Sequence, residues 1–156
     1  MPGMAMEWRE ADGVRWLEAE LSGASVAFST RLGGVSEPPF DQLNLGILTG
    51  DERAAVLENR SRLAAALGLD PGRILMGLQV HGAELLRSDS PQDPSPYAQP
   101  GSPLAEVARR QLRDAGVERI ESAGICTSCE PELFYSHRRD GKQSGRQAGL
   151  VWTEAA

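Results

Sequence analysis

Two blocks of chemistry-bearing residues, separated by a proline-rich join that carries none, constrain this chain more than any other feature. The first block runs from Phe28 to Gly82 and holds FSTRLGGVS, LNLG, GD, ENR and QVHG in that order. The second runs from Cys126 to Arg146 and holds CTSC and FYSHRRDGKQSGR. Between them lie SDSPQDPSPYAQPG and one helix-like run. With Pro91, Pro94, Pro96 and Pro100 and little apolar content, Ser88–Gly101 reads as a linker or a long surface loop.

A length of 156 residues suits one domain. The longest apolar runs fall far short of the roughly 20 residues that a membrane helix needs, so no membrane partner is expected. The start of the chain, MPGMAMEWREADG, lacks a basic stretch followed by an apolar one. No signal peptide is read there, and a cytoplasmic location is the expectation. The net charge of -6 opposes a general nucleic-acid binder, which needs a positive field. A local basic pocket for a small anion remains compatible with that charge.

Alternating runs predict strands over Val14–Leu21 and Ala24–Thr30 around a turn at Ser22-Gly23. Arg31–Phe40 reads as a loop. Asp51 is the expected cap of a helix that runs to Leu67 and closes at Gly68. Further strands are expected over Arg73–Val80 and Glu84–Arg87. Ser102 and Pro103 start a second helix with an apolar stripe of Leu104, Val107, Ala108, Leu112 and Ala115, ended by Gly116. Val117–Ile125 is expected as a strand, and Leu150–Thr153 as a short terminal one. Strands and helices mixed in this way define an α/β (α+β) class with a mixed sheet.

Several side chains could carry chemistry. Val56, Leu63 and Leu67 share one face of the first helix, and Arg60 falls in that stripe. An arginine there must pair, carry its head out of the core, or face a phosphate or carboxylate. His81, leaving a strand end before Gly82, is suited to a metal or to proton transfer. Arg31 with Gly33 and Gly34 offers an anion-binding turn or an ordinary one. His137, Arg138, Arg139, Lys142 and Arg146 make a basic cluster in an acidic chain, with a hairpin tip expected at Asp140-Gly141. Its readings are a solvated turn or anion recognition. Cys126 and Cys129 are the only cysteines. Their C-x-x-C spacing suits packing, a metal or redox chemistry better than a structural disulfide in a chain without an export signal.

Taken in order, FSTRLGGVS, LNLG, GD, ENR and QVHG, then CTSC, FYSHRRDG and GRQAG, resemble the laccase-domain or polyphenol-oxidase family, also described as purine nucleoside phosphorylases. The resemblance implies a mixed-sheet α/β fold and a mononuclear metal, zinc or copper. It implies phosphorolysis of adenosine, inosine or guanosine to the base and ribose 1-phosphate, with adenosine deamination beside it. Purine nucleosides and phosphate are then the expected partners. The implied catalytic residues are His81 and Arg60. Arg31, Asn44, Arg60 and Arg138 are the implied substrate and phosphate ligands.

The family holds its metal through the histidine of QVHG, here His81, a cysteine in an ADC motif and a histidine in an HAGWRG motif. Neither of the last two motifs occurs in this sequence. The resemblance therefore implies an internal deletion at residues 88–101, with Cys126, Cys129 and His137 as the substitutes at hand. Apolar faces uncovered by such a deletion imply a homo-oligomer or a looser core. The competing readings are a catalytically inactive truncated member and a small binding module.

Overall fold

The computed structural model describes residues 6–74 and 104–153. His81, the join at 88–101, the expected strand over Glu84–Arg87, nearly all of that over Arg73–Val80 and the cap formed by Ser102 and Pro103 lie outside the described residues. The chain divides into two compact units, Met1–Arg73 with Ala123–Ala156, and Ile74–Ser122.

The first unit is organised by a four-stranded antiparallel sheet in the order β1 (Glu7–Ala11), β2 (Val14–Leu21), β3 (Ala24–Ser29), β4 (Gly149–Trp152). Two tight turns set its register. Asp12 and Gly13 adopt φ of 51° and 79°, the left-handed pair that a two-residue hairpin turn requires, and the turn aligns Ala11 with Val14 and Trp8 with Leu17. Gly23, at φ 82°, closes the expected hairpin between β2 and β3. The outer strand β4 returns from the far end of the sequence to pair Phe28 with Gly149 and Ser25 with Trp152.

Pleating sends alternate residues to opposite faces. One face contributes Val14, Trp16 and Ala27 to the core, where Leu43, Leu45 and Leu63 cover them. Leu63 comes from α1 (Arg53–Ala66), whose Val56 and Ala64 are also fully buried. The opposite face is covered more thinly. Phe134 is buried there, with its ring centroid 6.4 Å from that of Trp8 and 5.9 Å from that of Phe28. Trp8 and Phe28 stay 38% exposed, and Val151 72%.

Three expectations are corrected, and one strand is added. The cap of α1 is Glu52, with no side-chain bond, because the Asp51 carboxylate is committed to Ser36 and Asn44. No strand forms over 117–125: the segment is irregular, largely exposed, and interrupted by Gly124 at φ 66°. Asp140-Gly141 is not a hairpin tip. The amide of Asp140 bonds to Ser136 O at 2.8 Å, which winds His137–Asp140 into one helical turn, α3, followed by a tighter turn over Gly141–Gln143. Finally β1, an outer strand with four exposed residues, had no alternating apolar signal to announce it.

The fold class is α/β in the broad sense, and the sheet of the described residues is antiparallel throughout. In the second unit, α2 (Leu104–Asp114) ends where the amide of Val117 bonds to Leu112 O and Gly116 takes φ 82°. Ala108, Leu112 and Ala115 of its expected stripe are exposed.

Candidate functional site

The segment Gln42–Gly46, containing LNLG, is where the first block's motifs converge. Its path is irregular, so its amides and carbonyls need partners outside any ladder. The carbonyl of Arg31 accepts the amides of Gln42 and Leu43, at 3.2 and 2.8 Å. Asn59, of ENR, donates to Gln42 O and Asn44 O, at 3.1 and 2.9 Å, and to Ser36 Oγ at 2.8 Å. Its own carbonyl accepts the amide of Val35 at 2.8 Å. Asn44 is fully buried and donates to Thr49 Oγ1 and Asp51 Oδ2, while its Oδ1 accepts the amides of Gly46 and Arg146. Ser36 Oγ completes the circuit by donating to Asp51 at 2.6 Å. Among the described residues, no buried side-chain nitrogen or oxygen lacks a partner.

Glycine at 34 follows from this crowding: a Cβ there would lie 2.2 Å from Gln42 O and 2.4 Å from Leu43 Cα.

Arg60 belongs to the same hub. Its Nε and Nη2 both donate to Leu45 O, at 3.0 and 2.7 Å. Burial, and then the charge of Arg53, lower its pKa from the ordinary arginine value. The fork thus caps a backbone carbonyl, an outcome absent from the readings its helical position suggested. Leu45 N in turn donates to Arg146 O at 3.0 Å, which ties GRQAG of the second block to LNLG of the first.

Arg31 organises a second cluster. Its Nε and Nη2 donate to Asp41 O at 2.8 and 2.6 Å, and Nη1 donates to Pro131 O at 2.9 Å. An ion pair to the Asp41 carboxylate at 3.2 Å and the face of Tyr135, 4.8 Å from the guanidinium carbon, complete its surroundings. Tyr135 OH donates to Phe40 O at 2.6 Å. Burial pushes that phenol well above the usual tyrosine range.

Arg139 plays the matching part in the second block. Nε and Nη2 grip the two Asp140 carboxylate oxygens at 2.7 Å each, Nη2 also donates to Phe134 O, and Nη1 donates to Thr127 O and Ser128 O, at 3.1 and 3.2 Å. The CTSC segment is thereby held as a turn closed by Cys129 N donating to Cys126 O at 3.0 Å. Both cysteines are free and exposed, which overturns packing as the reason for the pair. A bond from the Cys129 thiol lowers the pKa of Cys126, and the same contact raises that of Cys129. His137 and Arg138 are exposed on α3.

The structure thus brings Arg31 against Asp41 and Tyr135, and places Asn44 and Arg60 in one hub. Among the described residues, no group of three histidine, cysteine, aspartate or glutamate side chains could hold a metal ion. Cys126, Cys129 and His137 are therefore not gathered into a site of their own, and His81 lies outside the described residues. Asn59, Ser36 and Tyr135 were not singled out from the sequence, and Asp51 and Arg139 were read there only as a helix cap and as part of a basic cluster. Their one signal was density: short polar residues inside loop motifs, where an irregular backbone needs side-chain partners.

An α+β fold with these ordered motifs defines the class of protein. The chain belongs to the multi-copper polyphenol oxidoreductase laccase family, whose model matches residues 25–100 and 94–154. It is 49% identical to the purine nucleoside phosphorylase YfiH of Escherichia coli K12 over 230 residues, covering 83% of this chain and 94% of that protein. An alignment of 230 residues exceeds the 156 of this chain, so YfiH carries internal sequence with no counterpart here. A purine nucleoside phosphorylase of Streptomyces coelicolor is 45% identical over 71 residues, covering 46% of this chain and 29% of that protein. The chain thus spans less than a third of the length of that curated relative. The crystal structure of YlmD from Geobacillus stearothermophilus shares the fold, with a TM-score of 0.77 at 23% identity, covering 99% of this chain and all of that one.

Proposed function

We propose that this chain acts on purine nucleosides, splitting adenosine, inosine or guanosine with phosphate into the free base and ribose 1-phosphate, with adenosine deamination as a second activity. The observation that carries this reading is the identity of 49% with a purine nucleoside phosphorylase across 94% of that protein. In this reading Arg138, exposed on α3, meets the phosphate directly. Arg31 and Arg60, each anchored on backbone carbonyls, add fixed positive charge. Asn44 shapes the loop that presents them, and His81 is the proton-handling or metal-facing group.

The family's metal, zinc or copper, would polarise the reacting group or activate water. The described residues do not fit a three-ligand centre, because Cys126, Cys129 and His137 form no such cluster.

A second reading, a binding protein without turnover, is favoured by a specific observation. Histidine occurs only at 81 and 137 and cysteine only at 126 and 129, so the ADC and HAGWRG ligands have no counterpart in the sequence. The internal segment that the relatives possess is, in this reading, missing at residues 88–101. Self-association would then cover the thinly protected sheet face of Trp8, Phe28 and Val151.

The deciding experiment incubates the folded chain with adenosine and phosphate, with and without zinc, beside His81→Ala, and follows adenine and inosine by chromatography. Product that depends on intact His81 supports catalysis. Absence of product with retained adenosine binding by calorimetry supports the second reading. Light scattering on the same samples reports the size of the assembly. The chain is expected in the cytoplasm, and among the described residues no helix is long and apolar enough to cross a membrane.

A further inference from the structure

We infer that the exposed turn Cys126–Cys129 is a thiol–disulfide exchange site for low-molecular-weight disulfides. Three observations carry this beyond the C-x-x-C spacing. First, both sulfurs are at the surface, although free cysteine is ordinarily among the most buried of residues. Second, the turn is already closed: Cys129 N bonds to Cys126 O at 3.0 Å, and the two thiols share a hydrogen bond. A closed turn of this kind brings its end Cα atoms within about 7 Å, the range that a disulfide bridges. Third, the turn is held from outside. Arg139 Nη1 grips the carbonyls of Thr127 and Ser128, the residues between the cysteines, while its other donors are fixed on Asp140 and Phe134. The geometry of the dithiol is therefore set before the sulfurs join.

The exchange balances with the disulfide as oxidant. The Cys126 thiolate attacks one sulfur of the small disulfide, whose S–S bond breaks and releases one thiolate, protonated by water. The resulting mixed disulfide on Cys126 is then attacked by the Cys129 thiolate. The Cys126–Cys129 bond forms, the second small thiol leaves, and two electrons have passed from the protein pair to the disulfide. Cys126 is the first nucleophile because it accepts the Cys129 thiol proton in the shared hydrogen bond and has the Arg138 charge nearby.

The test uses the full chain, reduced and folded, in buffers of defined ratios of reduced to oxidised glutathione, with rapid alkylation and peptide mass analysis. Because the chain has only two cysteines, one intramolecular pairing exists. The equilibrium constant for forming that bond against glutathione is expected to be at least about tenfold larger in the folded chain than in the same chain in urea, reflecting preorganisation. Arg139→Lys, checked for folding by circular dichroism, is expected to bring the folded constant toward the urea value. Equal constants in the folded and unfolded chain, accumulation of mixed glutathione adducts in place of the internal bond, or an unreactive folded chain would each overturn the inference. The comparison within the wild-type chain stands even if the Arg139 variant fails to fold.

Discussion

The two motif blocks use similar residues to opposite ends. In the first, around Gln42–Gly46, Asn44 and Asn59 are fully buried, and Arg60 bonds to Leu45 O. In the second, from Cys126 to Asp140, the thiols, His137 and Arg138 face outward, while Phe134 and Tyr135 pack inward and Arg139 bonds to backbone carbonyls. The difference lies in what the backbone lacks. A loop threaded through the core leaves amides and carbonyls that no ladder satisfies, and side chains must supply the partners. A turn at the surface has water for that purpose, so its side chains are available for chemistry. Motif density in the first block therefore marks construction, and in the second it marks exposure.

The largest expected effect tests the first half of that comparison. Asn59→Ala removes three donated bonds and one accepted bond at a site with no exposure, and strands the carbonyl of Asn44 and the amide of Val35, while Gln42 O keeps the Ser36 amide. A loss of about 2–4 kcal/mol is expected in urea denaturation. A loss below 1 kcal/mol, on the order of one ordinary surface bond, would mean that water enters the hub and that its side chains are not what hold the loop. Between the blocks, Tyr135→Phe keeps the ring under Arg31 and deletes only the bond to Phe40 O. About 1 kcal/mol should be lost by the same measurement. An unchanged midpoint would show that the blocks are joined by their remaining contacts, among them Arg31 to Pro131 O and Arg146 to Leu45 and Asn44, and not by the Tyr135 hydroxyl.

Much of this architecture was legible in the letters, for identifiable reasons. The hairpin of β2 and β3 announced itself through alternation and a glycine that must take positive φ. The helix α1 did so through its apolar face and closing Gly68. The hub was not legible, because many of its bonds join distant residues, such as Asn59 with Asn44, 15 positions apart, and Asn44 with Arg146, 102 apart. Asp51 shows why local rules failed there: its residue type suits a helix cap, yet its Oδ2 accepts two buried donors and its Oδ1 reaches only the Glu52 amide, one position short of the first turn. Val117–Ile125 carries the apolar residues Val117, Ile120, Ala123 and Ile125, and composition alone supplies no neighbouring strand to pair with. The cysteines were legible as a pair but not as an exposed one, since spacing does not encode burial.

The smallest expected effect sharpens the other half of the comparison. Asp140 has its pKa lowered from the ordinary aspartate value: burial raises it, but the Arg139 hydrogen bond, the Ser136 amide and the charges of Arg139 and Arg31 outweigh that. A carboxylate with a lowered folded pKa contributes stability that is present above the unfolded value of about 3.9 and is lost as pH falls through the folded one. The side chain is 30% exposed, so water screens the pair and the contribution stays below about 1 kcal/mol. Asp140→Asn should therefore be slightly less stable than the parent at neutral pH, and the gap should close in acid. A gap that persists unchanged through the acid range would assign the role of Asp140 to its hydrogen bonds to Ser136 and Arg139, which asparagine keeps in part, and not to charge. That outcome would make the surface turn resemble the buried hub, as a piece of backbone construction, and would remove the distinction drawn between them.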